Sequence, residues 1–364
     1  LAKIGEVATN SQIGGRRNIV INGDMQVNQR SATVTASGYS VDRFKITKTA
    51  MDNLVIAVTQ DTDTPSEFTT ALKFAVTTEE SAKAVDELLD IRHIIEAQNL
   101  QHLEFGTSTA KKLTLSFWVR SSTTGKYSLL FLLDDDTRSN LQSYTISTAD
   151  TWEYKTITID GDTTGVIDNN SGIGMSIIWT LSAGTNFTGT PHAGWGAYAV
   201  TEDHAHADMV DFAAVDDGTF HITGVQLELG SQATPFEHRS FGEELALCQR
   251  YYVQIGPYPS SQGAGSLAIF ATADGNSGFS LIDFPVYMRA EPTLTHTGTA
   301  TDYNLYVANT NKPGSGGFSV SSGDTLKHSL LYTEHSNTTT AGQVGHLTTA
   351  SNNTDAFLGF VAEL

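Results

Sequence analysis

Lys112–Ser121 reads KLTLSFWVRS. Leu113, Leu115, Phe117 and Val119 alternate with Thr114, Ser116 and Trp118, a period of two that buries one face of a β-strand. A helix would scatter the same apolar residues around its axis. Outward from this stretch, alternation or a short apolar run recurs in NLVIAVTQ (Asn53–Gln60), ALKFAVT (Ala71–Thr77), KYSLLFLL (Lys126–Leu133), WEYKTITID (Trp152–Asp160), GMSIIWTL (Gly174–Leu181) and TFHITGVQLEL (Thr219–Leu229). Turn signals such as TTGK and DGDTTG separate them. NIVING, stopping at Asn22-Gly23, reads as a further short strand. Glu79–Gln101 has two characters: EESAKAVDELL has helix-forming composition, whereas IRHII is strand-like. It reads as a buried strand preceded by a short turn or helix. About eight strands in residues 18–238 predict a jelly-roll β-sandwich.

One stretch breaks the pattern. In RSFGEELALCQRYY (Arg239–Tyr252), Phe241, Leu245, Cys248 and Tyr252 fall on one face of an α-helix. Ser240 and Glu243 form a capping box, and Gly256-Pro257 forbids continuation. The reading is a connector helix over residues 239–254. Its apolar face must be buried on the chain itself or against another copy, because one short helix is marginal alone in water. Beyond it, SLAIFATA, FSLIDFPVYM, PTLTHTG, YNLYVAN, GFSVSS and AFLGFVAEL predict a second, smaller β domain over 255–364. Residues 1–17, ending in Gly14-Gly15-Arg16-Arg17, read as a linker or docking arm. The fold class is therefore all-β: a jelly-roll β-sandwich, a short connector helix and a smaller β domain.

The 364 residues carry 21 Lys+Arg against 40 Asp+Glu, a formal charge of −19. Such a surface repels phosphate backbones and anionic lipid, so nucleic-acid and membrane-surface partners are not expected. No stretch approaches the ~18 apolar residues of a membrane span. Cys248, the single cysteine, excludes an intrachain disulfide and, on the helix's apolar face, reads as a buried inert thiol. The sequence starts on Leu1 rather than Met, which reads as part of a longer polypeptide or a trimmed one.

RRNIVINGDMQVNQRS (Arg16–Ser31), YSVDRF (Tyr39–Phe44), HLEFGTSTAKKLTLSFWVRSS (His102–Ser122), TWEYKTITIDGDTTG (Thr151–Gly165) and FHITGVQLELGSQATPFEHRSFGEELALCQRYY (Phe220–Tyr252) follow in order. Together they resemble a family of bacteriophage virion proteins, tail-fibre or receptor-binding proteins with a carbohydrate-binding-module-like jelly roll. FPVYMRAEPTL (Phe284–Leu294) and the terminal AEL resemble the family's end segment. The resemblance implies a viral structural protein on the virion exterior. It implies host adsorption to a bacterial surface polysaccharide, a homotrimer, and contacts to other virion proteins through the N-terminal region. The alternative in the same family is a capsid-decorating, head-fibre or tail-adaptor protein with a purely structural role. The family's modules hold a structural Ca²⁺, which here would fall to Asp24 of NGDM and Glu228 of VQLELG. Without an ion, the same residues are a turn cap and an exposed acid. In a trimer, three helices could bury Leu245 and Tyr252 together; packing on the chain's own sandwich is the other option.

Sugar binding calls for flat aromatic faces beside amide, hydroxyl or acidic groups. Trp195, Tyr198, Trp179 and Trp152 offer such faces. The long, Gly-rich Ser182–Asp211 suits a functional loop, with HAGWGAY (His192–Tyr198) as the first place to look. Trp118 and Trp179 also read as core residues. In EDHAHADMVD (Glu202–Asp211), His204 and His206 share a strand face with Asp208 next along it, a candidate for a transition metal within one chain or across a threefold axis. The segment also reads as a polar exposed loop, the plainer of the two. Asp134–Asp136 and Asp216–Asp217 fit turn chemistry. With no G-x-S-x-G, phosphate-cradling loop or opposed carboxylate pair, an enzyme is not expected.

Overall fold

The computed structural model describes residues 17–189, 191–256, 266–297, 302–320, 325–335, 339–350 and 356–364. The expected N-terminal arm therefore lies, except for Arg17, outside the described residues. The chain forms two compact units that divide between Glu244 and Leu245, inside the helix expected to connect them.

The first unit contains β1 (Gly38–Tyr39), β2 (Phe44–Thr49), β3 (Val55–Asp61), β4 (Ala71–Thr78), β5 (Leu88–Glu96), β6 (Leu113–Ser121), β7 (Gly125–Leu133), β8 (Arg138–Ile146), β9 (Glu153–Ile159), β10 (Ile173–Ala183), β11 (Thr188–Gly189), β12 (Gly196–Ala197), β13 (Ala205–His206) and β14 (Thr219–Leu229). A seven-stranded sheet, β1-β2-β5-β10-β7-β8-β12, faces a five-stranded sheet, β3-β4-β14-β6-β9. Neighbours within both sheets are antiparallel, giving the jelly-roll sandwich. The expected period sorts the two faces of β6: Leu113, Leu115, Phe117 and Val119 are wholly buried. Phe117 meets Trp179 of the opposite sheet edge-to-face, centroids 5.9 Å apart at 86°. Burying each such side chain contributes roughly 1.5–3 kcal/mol. A bulge in β14, where Gly224 has φ +62°, restores the inward side of the strand to Val225 and Leu227. A side chain at Gly224 would also meet the Phe68 ring at 2.6 Å.

Several expectations change. NIVING is not a strand, although its Asn22 does take φ 61°. Only part of its backbone meets a strand: Ile19 N donates to the Leu227 carbonyl and Val225 N to the Gly23 carbonyl of the segment, while Val20 N donates to Asn18 Oδ1 and Asn22 N to the Glu244 carboxylate. Trp118 is not core; it is half-buried on the outward side of β6. The helix-like AVDELL gives a turn and then β5, because Leu88, Leu89 and Ile91 are needed in buried positions. β2 and β8 were not anticipated.

The helix Phe241–Gln249 forms where expected, with the capping box in place: Ser240 N donates to Glu243 Oε2 at 3.1 Å and Glu243 N to Ser240 Oγ at 3.4 Å. Its buried face is turned from the one expected. Phe241 is 54% exposed and Leu245 half-buried, whereas Glu244, Cys248 and Tyr251 are buried. Tyr252 already belongs to the next strand. An apolar-periodicity reading passes over Glu244, whose carboxylate is buried because Asn22 N and Arg239 engage it. Burial nonetheless pushes its pKa above the usual carboxylate value. Cys248 is fully buried and forms no disulfide.

The second unit contains β15 (Tyr252–Ile255), β16 (Ser266–Thr272), β17 (Ser277–Asp283), β18 (Thr293–His296), β19 (Tyr303–Val307), β20 (Thr310–Val320), β21 (His328–His335), β22 (Val344–Thr349) and β23 (Leu358–Val361). Six of them close a barrel, β16-β17-β21-β20-β19-β22, and β15-β23-β18 form a small separate sheet. Phe270, Tyr303, Leu305, Leu331, Leu347 and Phe360 are core. β21 escaped the sequence reading because its inward positions, Ser329, Leu331, Thr333 and His335, are mostly polar.

Candidate functional site

A covering segment, residues 184–189 and 191–210, lies over the outer face of the seven-stranded sheet, and beyond it Phe212 and Ala213 turn into the core between the sheets. A short parallel pair, β11 with β13, a one-turn helix Val200–Asp203, and β12 added onto β8 give it shape. Its fastening begins with Asp90, wholly buried on the outer side of β5. Arg92, two residues along the same face, grips that carboxylate with both arms, Nε to Oδ1 and Nη2 to Oδ2 at 2.8 Å each. From the covering segment, His204 Nε2 lies 3.3 Å from Asp90 Oδ2, and the other ring nitrogen is 2.9 Å from the Tyr198 hydroxyl. Burial alone would raise the Asp90 carboxyl; the Arg92 charge and the His204 hydrogen bond outweigh it and bring it to about 2. Burial pushes the Tyr198 hydroxyl up to about 12, the wrong direction for a nucleophile.

The residues expected to bind sugar separate accordingly. Tyr198 packs on Leu130, Leu141 and Ile178 and is tied to His204. His192 holds the segment down, Nε2 2.9 Å from the Ser139 carbonyl and Nδ1 3.1 Å from the Asp203 carboxylate. Trp179 is wholly buried between the sheets and offers no face to a ligand, which corrects its expected role. Its position on β10 puts it among Met175, Ile177 and Leu181, all inward.

Trp195 lines an opening. At the margin of the sandwich, where β8 comes near β9, there is a depression of about 400 Å³. Arg138, Asn140 and Gln142 line it from β8, Thr158 and Asp160 from β9 and its end, and Trp195 from the covering segment. The Trp195 indole N–H donates to the Asp160 carbonyl at 2.7 Å, and its ring stands edge-on to Phe105 at 5.7 Å. The ring is thus fixed before any ligand arrives, which lowers the ordering cost of binding. Arg138 forks onto Asp162, with Nη2 3.1 Å from Oδ1. Burial would raise Asp162, but Arg138 and the Thr164 and Gly165 amides hold it below the usual carboxylate value. Gln142 Nε2 donates to Asn140 Oδ1 at 2.7 Å. The site therefore offers one aromatic plane, two amides, hydroxyls, the satisfied Arg138–Asp162 pair and the exposed Asp160 carboxylate paired with Lys112, a composition suited to a polyhydroxylated ligand without a negative charge of its own. Arg138, Asn140 and Gln142 escaped the sequence reading. Their alternation down β8, polar where a core strand would be apolar, was the available signal.

The expected metal ligands do not converge. Glu228 is wholly buried, not exposed, and its carboxylate is occupied by protein donors: Thr234 N at 2.8 Å, Thr234 Oγ1 at 2.6 Å and Gln226 Nε2 at 2.9 Å. Asp24 Oδ1 is buried without a hydrogen bond while Oδ2 takes Gln26. With Glu228 committed to protein donors and one Asp24 oxygen left over, these two residues do not make a Ca²⁺ site by themselves. His204 is committed at both nitrogens, Asp208 pairs with Lys126 at 2.8 Å, and His206 is half-buried with its amide on Ser128. Among the described residues, no group of three or more His, Cys, Asp or Glu could hold a metal ion.

No family model and no curated protein matches the sequence. Among solved structures the chain is similar to the enzymatically active domain of tailspike protein 4 from bacteriophage CBA120, at 13% identity and TM-score 0.33; 58% of this chain is covered, and the match spans 21% of that one. It is similar to the carbohydrate-binding module TmCBM61 in complex with β-1,4-galactotriose, at 13% identity and TM-score 0.28 over 59% of this chain and 100% of that one. It is also similar to a family 11 carbohydrate-binding module of Clostridium thermocellum in complex with a mixed-linked tetrasaccharide, at 12% identity and TM-score 0.28 over 57% of this chain and 100% of that one.

Proposed function

We propose that this chain is a phage virion structural protein, a tail fibre or receptor-binding protein that adsorbs to a bacterial surface glycan without transforming it. The observation that supports the reading is the depression beside Trp195: a pre-fixed indole, amides and hydroxyls, with Arg138 paired to Asp162 and Asp160 to Lys112. The ordered motifs from Arg16 to Tyr252 support the virion assignment. Adsorption would rest on avidity, weak sites multiplied over three chains and several fibres. The homotrimer, the exterior virion location and docking through the N-terminal region belong to the same proposal.

The test is adsorption of the purified chain to host cells and to their extracted surface polysaccharide, alongside Trp195→Ala. Saturable binding that weakens roughly tenfold in the variant is expected. A chain that adsorbs to no host surface yet localises to the capsid or tail in labelled virions would make the purely structural alternative correct. Light scattering should give three times the 39.1 kDa chain mass; a monomer would end the fibre reading.

A further inference from the structure

Alternation and register bring a second set of aromatic and polar groups together on the outer face of the five-stranded sheet. One cross-strand row runs Lys73, His221, Arg120, with Trp152, the residue before β9, at its end; the adjacent row runs Thr223, Trp118, Tyr154. Trp118 and Tyr154 have ring centroids 5.3 Å apart at 49°, and Tyr154 is 45% exposed. Trp152 stands over His221 at 5.9 Å and 66°, its indole N–H 3.4 Å from Asp63 Oδ1. Three large rings on the wetted side of a sandwich are costly to solvate and mark a contact surface.

The charges of this face are settled internally. Lys73 pairs with Asp61 at 3.0 Å, and Arg120 pairs with Asp63 and lies 3.9 Å from Asp150. No cation in these rows is left over to recognise a uronate, a sialate or a phosphate. What is left over is hydrogen-bonding capacity. Both ring nitrogens of His221, a residue 3% exposed, are buried without a hydrogen bond, as is Arg120 Nε. Asp61 Oδ2 lies 3.5 Å from His221 Nε2. Burial, with Lys73 and Arg120, keeps this imidazole neutral against the pull of Asp61 and Asp63. Buried polar groups without partners are rare enough to call for an explanation.

We infer that this face is a glycan-binding surface separate from the Trp195 depression, and that its ligand is an uncharged pyranose oligosaccharide. The sugar stacks on Trp118, Tyr154 and Trp152, and its hydroxyls meet the solvent-reaching parts of the paired side chains beside them, Lys73, Arg120 and Asp63. Charge-paired side chains match a neutral ligand and leave an acidic one without a counter-charge.

The test is native electrophoresis of the full chain in gels containing neutral polysaccharides (a β-glucan, a galactan, a mannan) or acidic ones (alginate, polygalacturonate). Trp118→Ala, Trp152→Ala and Trp195→Ala are run beside the wild type, with near-UV circular dichroism to confirm that each folds. Retardation in at least one neutral gel, weakened about tenfold by Trp118→Ala and by Trp152→Ala but retained in Trp195→Ala, is the expected result. Retardation abolished by Trp195→Ala alone overturns this surface and leaves the proposed function standing. Retardation confined to acidic gels overturns the neutral ligand. No retardation in any gel overturns the inference, while host-cell adsorption still decides the proposed function independently.

Discussion

Asp90→Asn offers the sharpest test of how the covering segment is held. The substitution keeps the shape of the side chain and removes its charge. In the native protein that carboxylate is wholly buried, gripped by Arg92 at 2.8 Å and approached by His204 at 3.3 Å. Removing one member of a buried ion pair costs about 3–5 kcal/mol, because the partner's charge is left uncompensated. Here the lower end applies, since the Arg92 side chain is 27% exposed and can turn to water. A second route gives a similar size. Bringing the carboxyl from 3.8 to about 2 corresponds to ~2 kcal/mol of preference for the charged form in the folded state. The expected destabilisation is therefore about 3 kcal/mol, or roughly 6–12 °C in midpoint for a unit of this size. All four tryptophans, Trp118, Trp152, Trp179 and Trp195, belong to the first unit, so urea unfolding followed by tryptophan emission reports on that unit alone. Asp90→Asn/Arg92→Gln should recover more than half of the loss, because the uncompensated guanidinium is gone. The wild type should also lose stability as pH falls: the native carboxylate's advantage is complete above 3.8 and disappears as pH passes through about 2. A single variant within ~0.5 kcal/mol of wild type at pH 7 would refute this account of the fastening.

Other perturbations follow from the same geometry. Ser240→Ala should cost ~1 kcal/mol through the lost capping box, read by thermal unfolding. Trp179→Ala should cost about 3–5 kcal/mol, as expected for a ring buried between sheets, whereas Trp195→Ala should cost far less and act on ligand binding. His93 and His221 have imidazole pKa values held below 6.5 chiefly by burial. The unfolded chain then binds more protons, so stability present above pH 6.5 should drop as pH falls from there; His221→Gln should flatten part of that slope in a pH series of urea midpoints. EDTA should leave the unfolding midpoint unchanged within about 1 °C, because the Glu228 oxygens are already held by Thr234 and Gln226.

Period-two burial and turn residues were enough to read the sandwich, and Ser240 with Glu243 was enough to locate the helix, because both signals are local. Strand alternation and a capping box depend on residues two or three apart, whatever surrounds them. Only the tertiary structure decided which groups face which neighbours. Trp118 and Trp179 both sit in apolar strands, yet one is on the wetted face and the other in the core: Trp118 shares its side of β6 with Thr114 and Ser116, Trp179 its side of β10 with Met175, Ile177 and Leu181. The helix turned Glu244 inward because Asn22 and Arg239, 222 and 5 residues away, satisfy its carboxylate. β21 hid its inward face behind Ser329, Thr333 and His335. The Trp195 depression joins Arg138, Asn140 and Gln142 to Asp160, and the row through His221 joins β4, β14 and β6. Such sites are made of long-range register, and register is set by the packing of whole sheets rather than by any one segment.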